Sequence, residues 1–507
     1  MLFNSFGFLF VFLPITLLGF FWLGRRSAWL AAAFLTLASI VFYGWWNWHF
    51  VWLLLASIIF NYVMGLVIAP MTGWARRCSF AVAVAADLLL LGYYKYANLA
   101  AASLDAVAGT QYGPLDIVLP LGISFFTFTQ IAYLADVFQH KAREPRFVHY
   151  ALFVSYFPHL IAGPILHHKE MMPQFGAPRT YRLQPNSVLL GTIIFTLGLA
   201  KKVLIADNLA PYANAVFAAP DHPSLLVAWG GVLAYAFQIY FDFSGYSDMA
   251  IGLSRLFGIR LPLNFNSPYK SRNIIEFWRR WHMTLSRFLR DYLYFPLGGN
   301  RHGETRRYLN LMITMLLGGL WHGAGWNFAI WGGLHGLYLA ANHVWRRWFG
   351  EGAARTRIGA FASVALTFIA VNVAWVFFRA PSVEVGRDLL GGMFGEFGVA
   401  LPAAVFAHIE PLRHALEALG VSSLLGGGRQ FAMTYIWVAL AGAIAFAAPN
   451  TQQITRRFRP ALASADFAPA RALRLRLNWR WATGLGLLAC ASLLSLSRPT
   501  EFLYFQF

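Results

Sequence analysis

Apolar residues fall along this chain in runs of about membrane-spanning length, parted by short polar breaks rich in arginine and lysine. Thirteen runs are expected as spanning or re-entrant helices. Those before the long polar interval are Phe6–Leu23, Ala28–Trp46, Phe50–Ala69, Phe80–Tyr96, Ile117–Phe138, Tyr150–Leu166, Val188–Ala206 and Leu225–Phe243. After it come Leu309–Trp321, Phe328–Val344, Ile358–Phe378, Phe431–Ala448 and Trp481–Leu496. Phe6–Leu23 is followed by Arg25-Arg26 and not by a small-residue cleavage site, so it is expected to stay as a first helix starting outside. Arg471, Arg474, Arg476 and Arg480 precede the last run and put its start in the cytoplasm, with residues Phe502–Phe507 outside. Two external termini require an even number of crossings, so at least one of the thirteen is expected to be broken or re-entrant. The glycine-rich pair around position 322 and the segment holding Pro158 and Pro164 are the candidates.

One stretch departs from the pattern. Between Arg307 and Arg346 there is no Asp, Glu, Lys or Arg, yet the segment carries His322 and His335. An ionisable group at bilayer depth is costly and by default marks a site. Basic pairs close both ends, Arg306-Arg307 and Arg346-Arg347, so the chain is expected to enter from the cytoplasm and return. His322 lies fifteen residues past Arg307. At 1.5 Å per residue that is about 22 Å, beyond the midplane of a core roughly 30 Å thick. Seven glycines, at 318, 319, 323, 325, 332, 333 and 336, suit a hairpin whose turn lies close to His322.

Composition agrees with this pattern. The 507 residues are 58% hydrophobic and only 12% charged, about half the charge of an ordinary soluble domain. An all-α polytopic membrane protein is expected, with about 11 to 13 transmembrane or re-entrant helices and added interfacial amphipathic helices. A net charge of +19 could suggest nucleic acid, but the cations stand in clusters between apolar runs, as in cytoplasmic loops. Lipid headgroups and phosphate-bearing ligands are the partners this charge implies, and no nucleic acid is expected. Cys78 and Cys490 both lie in or beside apolar runs and indicate neither a disulfide framework nor a thiolate metal site.

The polar interval holds candidate chemistry. From Arg255 to Arg307 lie eleven of the forty Lys and Arg residues, against Glu276, Asp291 and Glu304. Within Glu276–Tyr292, apolar or aromatic residues at 277, 281, 285, 288 and 292 predict one helical face. Arg279, Arg280, Arg287 and Arg290 fall largely elsewhere, which fits an interfacial helix on the cytoplasmic leaflet. The same guanidiniums could receive an anionic, phosphate-rich donor. Taken alone, His282 beside Trp281 is more often structural than catalytic, and Asp242 and Asp248 more often hold helix ends than carry protons.

A resemblance changes the weight of these residues. The series Phe241-Asp242-Phe243-Ser244-Gly245-Tyr246-Ser247-Asp248, Leu263-Asn264-Phe265-Asn266-Ser267-Pro268-Tyr269 and Phe277-Trp278-Arg279-Arg280-Trp281-His282-Met283 is the first part of it. Arg290-Asp291-Tyr292-Leu293-Tyr294-Phe295-Pro296-Leu297-Gly298-Gly299 and Trp321-His322-Gly323-Ala324-Gly325-Trp326-Asn327 complete it. Together, in this order, they resemble the membrane-bound O-acyltransferases, especially the bacterial branch of alginate O-acetylation and teichoic-acid D-alanyl transfer. The resemblance extends over nearly the whole chain, from Phe3-Asn4-Ser5 to the aromatic tail. It implies a central tunnel, with His322 as the catalytic histidine and His282 as the second histidine of the site. It also implies acetyl-coenzyme A as donor substrate, no permanently bound cofactor or metal, and a polysaccharide hydroxyl as the eventual acceptor. That acceptor would be reached through a separate periplasmic O-acetyltransferase from the bacterial inner membrane. In the tail, Tyr504 is implied as a transient acyl carrier.

The residue chemistry fits, because an imidazole near neutral pKa can withdraw a hydroxyl proton as the oxygen attacks. One domain is expected over residues 1–507. Its parts are N-terminal helices to 250, a basic interfacial region over 251–307, a catalytic hairpin over 308–345, and C-terminal helices with the tail over 346–507. Pro381–Gly428 reads as an external or interfacial insertion. Two rivals stand beside the acyltransferase: a transporter or flippase for an anionic polymer or lipid using proton-relay histidines, and haem ligation by His322 and His335. Absence of colour in the purified protein would dismiss the haem.

Overall fold

In the absence of interior proline, the apolar runs fold as continuous helices, since lipid leaves the backbone no other partner. The computed structural model describes residues 1–218, 222–350, 356–424, 426–462, 473–497 and 502–503. Six of its helices are long and apolar enough to cross a membrane: His49–Ile68, Gly73–Ala108, Pro185–Ala218, Leu225–Leu256, Arg357–Arg379 and Gly428–Ala447. Phe8–Gly24, Ala28–Gly44 and Ile123–Phe138 are shorter apolar helices. The chain is an all-α polytopic membrane protein. Among the described residues its only strands are β1 (Val399–Pro402) and β2 (Val421–Leu424), a parallel pair inside the Pro381–Gly428 insertion.

Proline and glycine explain where expectation and structure part. Tyr150–Leu166 is not one helix: Phe147–Ser155 stops, Phe157–Leu160 makes a single turn, and the chain then runs irregularly to His167. Pro158 sits in the first turn of the short piece, where its missing N–H costs nothing, and bars it from continuing the helix before it. The break is buried, so its amides need side-chain acceptors: Phe157 N–H donates to Ser39 Oγ (3.2 Å) and Ile165 N–H to Thr284 Oγ1 (3.0 Å). With this segment set aside, the other twelve expected runs are wholly or mostly helical among the described residues. In Ile117–Phe138 the helix begins only at Ile123, after Gly122 in the left-handed region at φ 72°.

The expected helix Glu276–Tyr292 is also corrected. Ile274–Trp278 and Met283–Leu289 are separate short helices, followed by a wide turn over Arg290–Tyr294. Trp278 and Trp281 do not lie at the interface; both are buried in protein, Trp281 against Phe265, Phe277 and Trp375. The cause is the segment 264–266, which hydrogen-bonds to this loop. Met283 N–H donates to Asn264 O (2.9 Å) and Asn266 N–H to Arg280 O (2.9 Å), taking backbone groups that a continuous helix would have used.

Candidate functional site

The expected hairpin forms. Its first arm, Gly303–His322, ends on His322, and after extended Gly323 and Gly325 its second arm, Trp326–Phe349, runs back. The arms cross at Gly319 and Gly332: a Cβ on Gly319 would collide with the Phe328 carbonyl, and one on Gly332 with the Met315 carbonyl. Only hydrogen at these two positions lets the backbones approach this closely, as small residues do at membrane helix contacts. His322 is buried in rings, with Trp321 (4.9 Å between centroids), Trp331 (5.1 Å) and Phe378 (5.1 Å) around it.

The structure brings His282 to it, at 6.3 Å between ring centroids. His282 caps Met283–Leu289 in the left-handed region, at φ 42°, which a side-chain-bearing residue adopts only when its surroundings enforce it. Asn264 does so. Its Oδ1 accepts from the Thr284 backbone N–H (3.3 Å) and Thr284 Oγ1 (2.9 Å), and its Nδ2 donates to Ser247 Oγ (3.3 Å). The same Oδ1 lies 3.0 Å from His282 Nδ1. Since that oxygen can only accept, the neutral imidazole carries its proton on Nδ1 and its lone pair on Nε2. Sequence reasoning passed over Asn264, although it stands in one of the quoted motifs.

Two cavities meet the first arm. One, of about 580 Å³, is lined by Arg307, Leu311, Thr314 and Met315 from that arm, together with Arg279, Arg287, Arg290 and His343. The other, of about 600 Å³, is lined by His322 and Trp321 with Lys95, the irregular stretch Leu119–Gly122, and Met1 and Leu2. From Met315 to Trp321 is six residues. At 1.5 Å per residue the two cavities are about 9 Å apart along this one helix.

The four arginines expected to receive an anion differ. Arg280 does not line the basic cavity; it pairs with Glu276 (2.6 Å). Arg287 holds Glu170 with both terminal nitrogens (2.6 and 3.0 Å), and Arg290 pairs with its neighbour Asp291 (2.7 Å), which raises the guanidinium pKa further. Arg279 is exposed in the cavity and has no acidic partner among the described residues.

Both aspartates are ion-paired within the fold. Asp248 pairs with Lys201 (2.6 Å) and accepts from Thr451 and Gln452. Asp242 pairs with Lys202 (2.6 Å) and also accepts the Leu503 backbone N–H (3.0 Å). Phe502 stacks on Tyr246 (4.4 Å), as Phe3 does (4.8 Å), so the residues before the tail tyrosine are buried near Phe243, whose ring meets His282 at 4.8 Å. Tyr504 itself lies outside the described residues. His335 is a packing residue, ringed by Trp278 (5.1 Å) and Trp331 (4.8 Å).

Comparison with known proteins shows the family. The chain matches the profile of the membrane-bound O-acyltransferase family over residues 40–378. It is 42% identical to a probable alginate O-acetylase of Azotobacter vinelandii, with 100% of each chain covered. It is 44% identical to a peptidoglycan O-acetyltransferase of Helicobacter pylori, over 79% of this chain and 81% of that one. A teichoic acid D-alanyltransferase of Streptococcus thermophilus is 29% identical over 48% of this chain and 61% of its own length.

Proposed function

Because the chain belongs to the membrane-bound O-acyltransferase family and is a multi-pass membrane acyltransferase, we propose that it carries an acetyl group from a cytoplasmic thioester to a hydroxyl on the far side, with His322 as base. The observation that carries this reading is the pair of cavities on one helix, the arginine-lined one separated by about 9 Å from the one that holds His322. The basic cavity suits the phosphates of acetyl-coenzyme A, with Arg279 exposed in it and Arg307 beside His343, and the positive-inside bias turns it toward the cytoplasm.

In the reaction, a hydroxyl oxygen attacks the thioester carbonyl carbon while His322 takes its proton. The tetrahedral oxyanion collapses, the C–S bond breaks, and the thiolate recovers the proton from the imidazolium. His282, with its lone pair fixed on Nε2, gives the hydroxyl a second acceptor that orients it. Tyr504 follows directly on Leu503, which is tied to Asp242, and supplies the first accepting hydroxyl. From there the acetyl group passes to a periplasmic O-acetyltransferase and on to a polysaccharide. The names of the relatives, alginate and peptidoglycan acetylating proteins, support an acetyl group and a glycan acceptor. The setting is the bacterial inner membrane.

The test supplies labelled acetyl-coenzyme A to inside-out vesicles. Label is expected on Tyr504 by mass spectrometry, and His322→Ala is expected to lose transfer by about a thousandfold while extracting as intact protein. Label on another side chain removes Tyr504 from the route, and full transfer by the alanine variant removes His322 as the base.

A further inference from the structure

A membrane helix that stops inside protein leaves its last carbonyls without intrahelical partners, and no water is at hand to take them. The first arm of the hairpin stops in this way at His322. Gly323 leaves it fully extended, at φ −155° and ψ 151°, so none of the glycine turns that usually close a helix end can form. The donors come instead from another helix, Gly73–Ala108. Tyr96 OH donates to Leu320 O (2.7 Å), and Lys95 Nζ donates to Trp321 O (2.5 Å) and to His322 O (3.0 Å). Ser124 Oγ, at 3.4 Å, takes the third hydrogen of the ammonium.

We propose that Lys95 is a positioning residue for acyl transfer, whose ammonium clamps the end of the first hairpin arm and so sets the position of the His322 ring in its cavity.

Four features support this. Lys95 is buried in an apolar helix, where an ammonium survives only if its hydrogens are satisfied. It meets the negative end of the helix dipole, where a cation stabilises and a neutral donor of the same length does so less. It grips the backbone carbonyl of His322 itself, so it fixes the main chain from which the imidazole projects. It also lines the same cavity as His322, so a small solute reaching that base reaches the clamp. Its three oxygen contacts give Lys95 the part of a donor to the helix end. Its effect passes through geometry, to which transfer is sensitive: misplacing a catalytic group by about 1 Å costs on the order of a hundredfold.

The inference rests on His322 being the base, and the experiment separates the two. In vesicles given labelled acetyl-coenzyme A, His322→Ala is measured first; if it stays active, the base assignment falls and the clamp with it. If it is inactive, Lys95→Met is expected to lower kcat at least tenfold while the KM for the donor, which binds at the opposite cavity, stays within twofold. Lys95→Ala opens a space in the cavity wall that propylammonium can fill. Added propylammonium is expected to restore transfer at least threefold, and 1-propanol is expected to restore none. Recovery with both or with neither, or a Lys95→Met variant keeping more than half of the wild-type kcat, overturns the proposal. The amine arm decides even where Lys95→Met fails to fold.

Discussion

At the scale of residues, the His282 side of the site depends on a side chain that has no chemistry of its own. Asn264 forces His282 into a backbone conformation that costs about 1–3 kcal/mol and sets which nitrogen carries the proton. Asn264→Leu should therefore act through His282. It removes the acceptor that specifies the tautomer and leaves the Thr284 amide without its partner. A fall in kcat of about a hundredfold is expected in steady-state transfer assays, with the donor KM unchanged, since a misoriented group of this kind costs that much. His282 was recognisable from its motif, whereas its left-handed backbone was not. The apolar spacing from 277 to 292 favours a helix, and what prevents the helix is a hydrogen-bonding partner eighteen residues upstream.

At the scale of elements, the hairpin is the clearest success of the pattern and the source of a sharp contrast between neighbouring glycines. Gly332→Val would drive its side chain into the Met315 carbonyl, whereas Gly333→Ala would meet only the Leu316 Cδ2 methyl at 3.6 Å, an ordinary contact. Overpacking of this kind typically costs about 1–3 kcal/mol. The valine variant is expected to unfold at lower temperature in detergent and to lose transfer as the arm bearing His322 shifts. The alanine variant is expected to match wild type in both measurements. The Tyr150–Leu166 segment shows the opposite case. Its apolar content is that of a span, but Pro158 divides it, and its place in the interior depends on acceptors lent by Ser39 and Thr284.

At the scale of the whole molecule, two cavities of similar volume approach one helix from its two ends, and the charge is concentrated around one of them. Arg279→Gln removes an exposed guanidinium of the cavity that has no acidic partner among the described residues, and it leaves Arg307, which contacts His343, and the histidines in place. The donor KM is expected to rise at least fivefold with kcat held, and the wild-type KM should rise with ionic strength as screening weakens the phosphate contact. An unchanged KM in the variant would place the donor elsewhere. Phe3 and Phe502, far apart along the chain, also converge on Tyr246.

The order of apolar runs, the basic breaks between them and the histidines at depth were enough to determine a helical membrane protein with a hairpin turning at His322. Those features are local, because lipid imposes length and internal hydrogen bonding on each span separately. Tertiary structure decided everything that needs a partner from far along the chain. Lys95 meets a helix end 227 residues away, Asp242 meets a backbone amide 261 residues away, and His282 takes its tautomer from another segment. Sequence reasoning passed over Lys95, although it stands in the apolar run Phe80–Tyr96. Only the fold could show what it satisfies, because a buried hydrogen bond is defined by two groups and the sequence lists them one at a time.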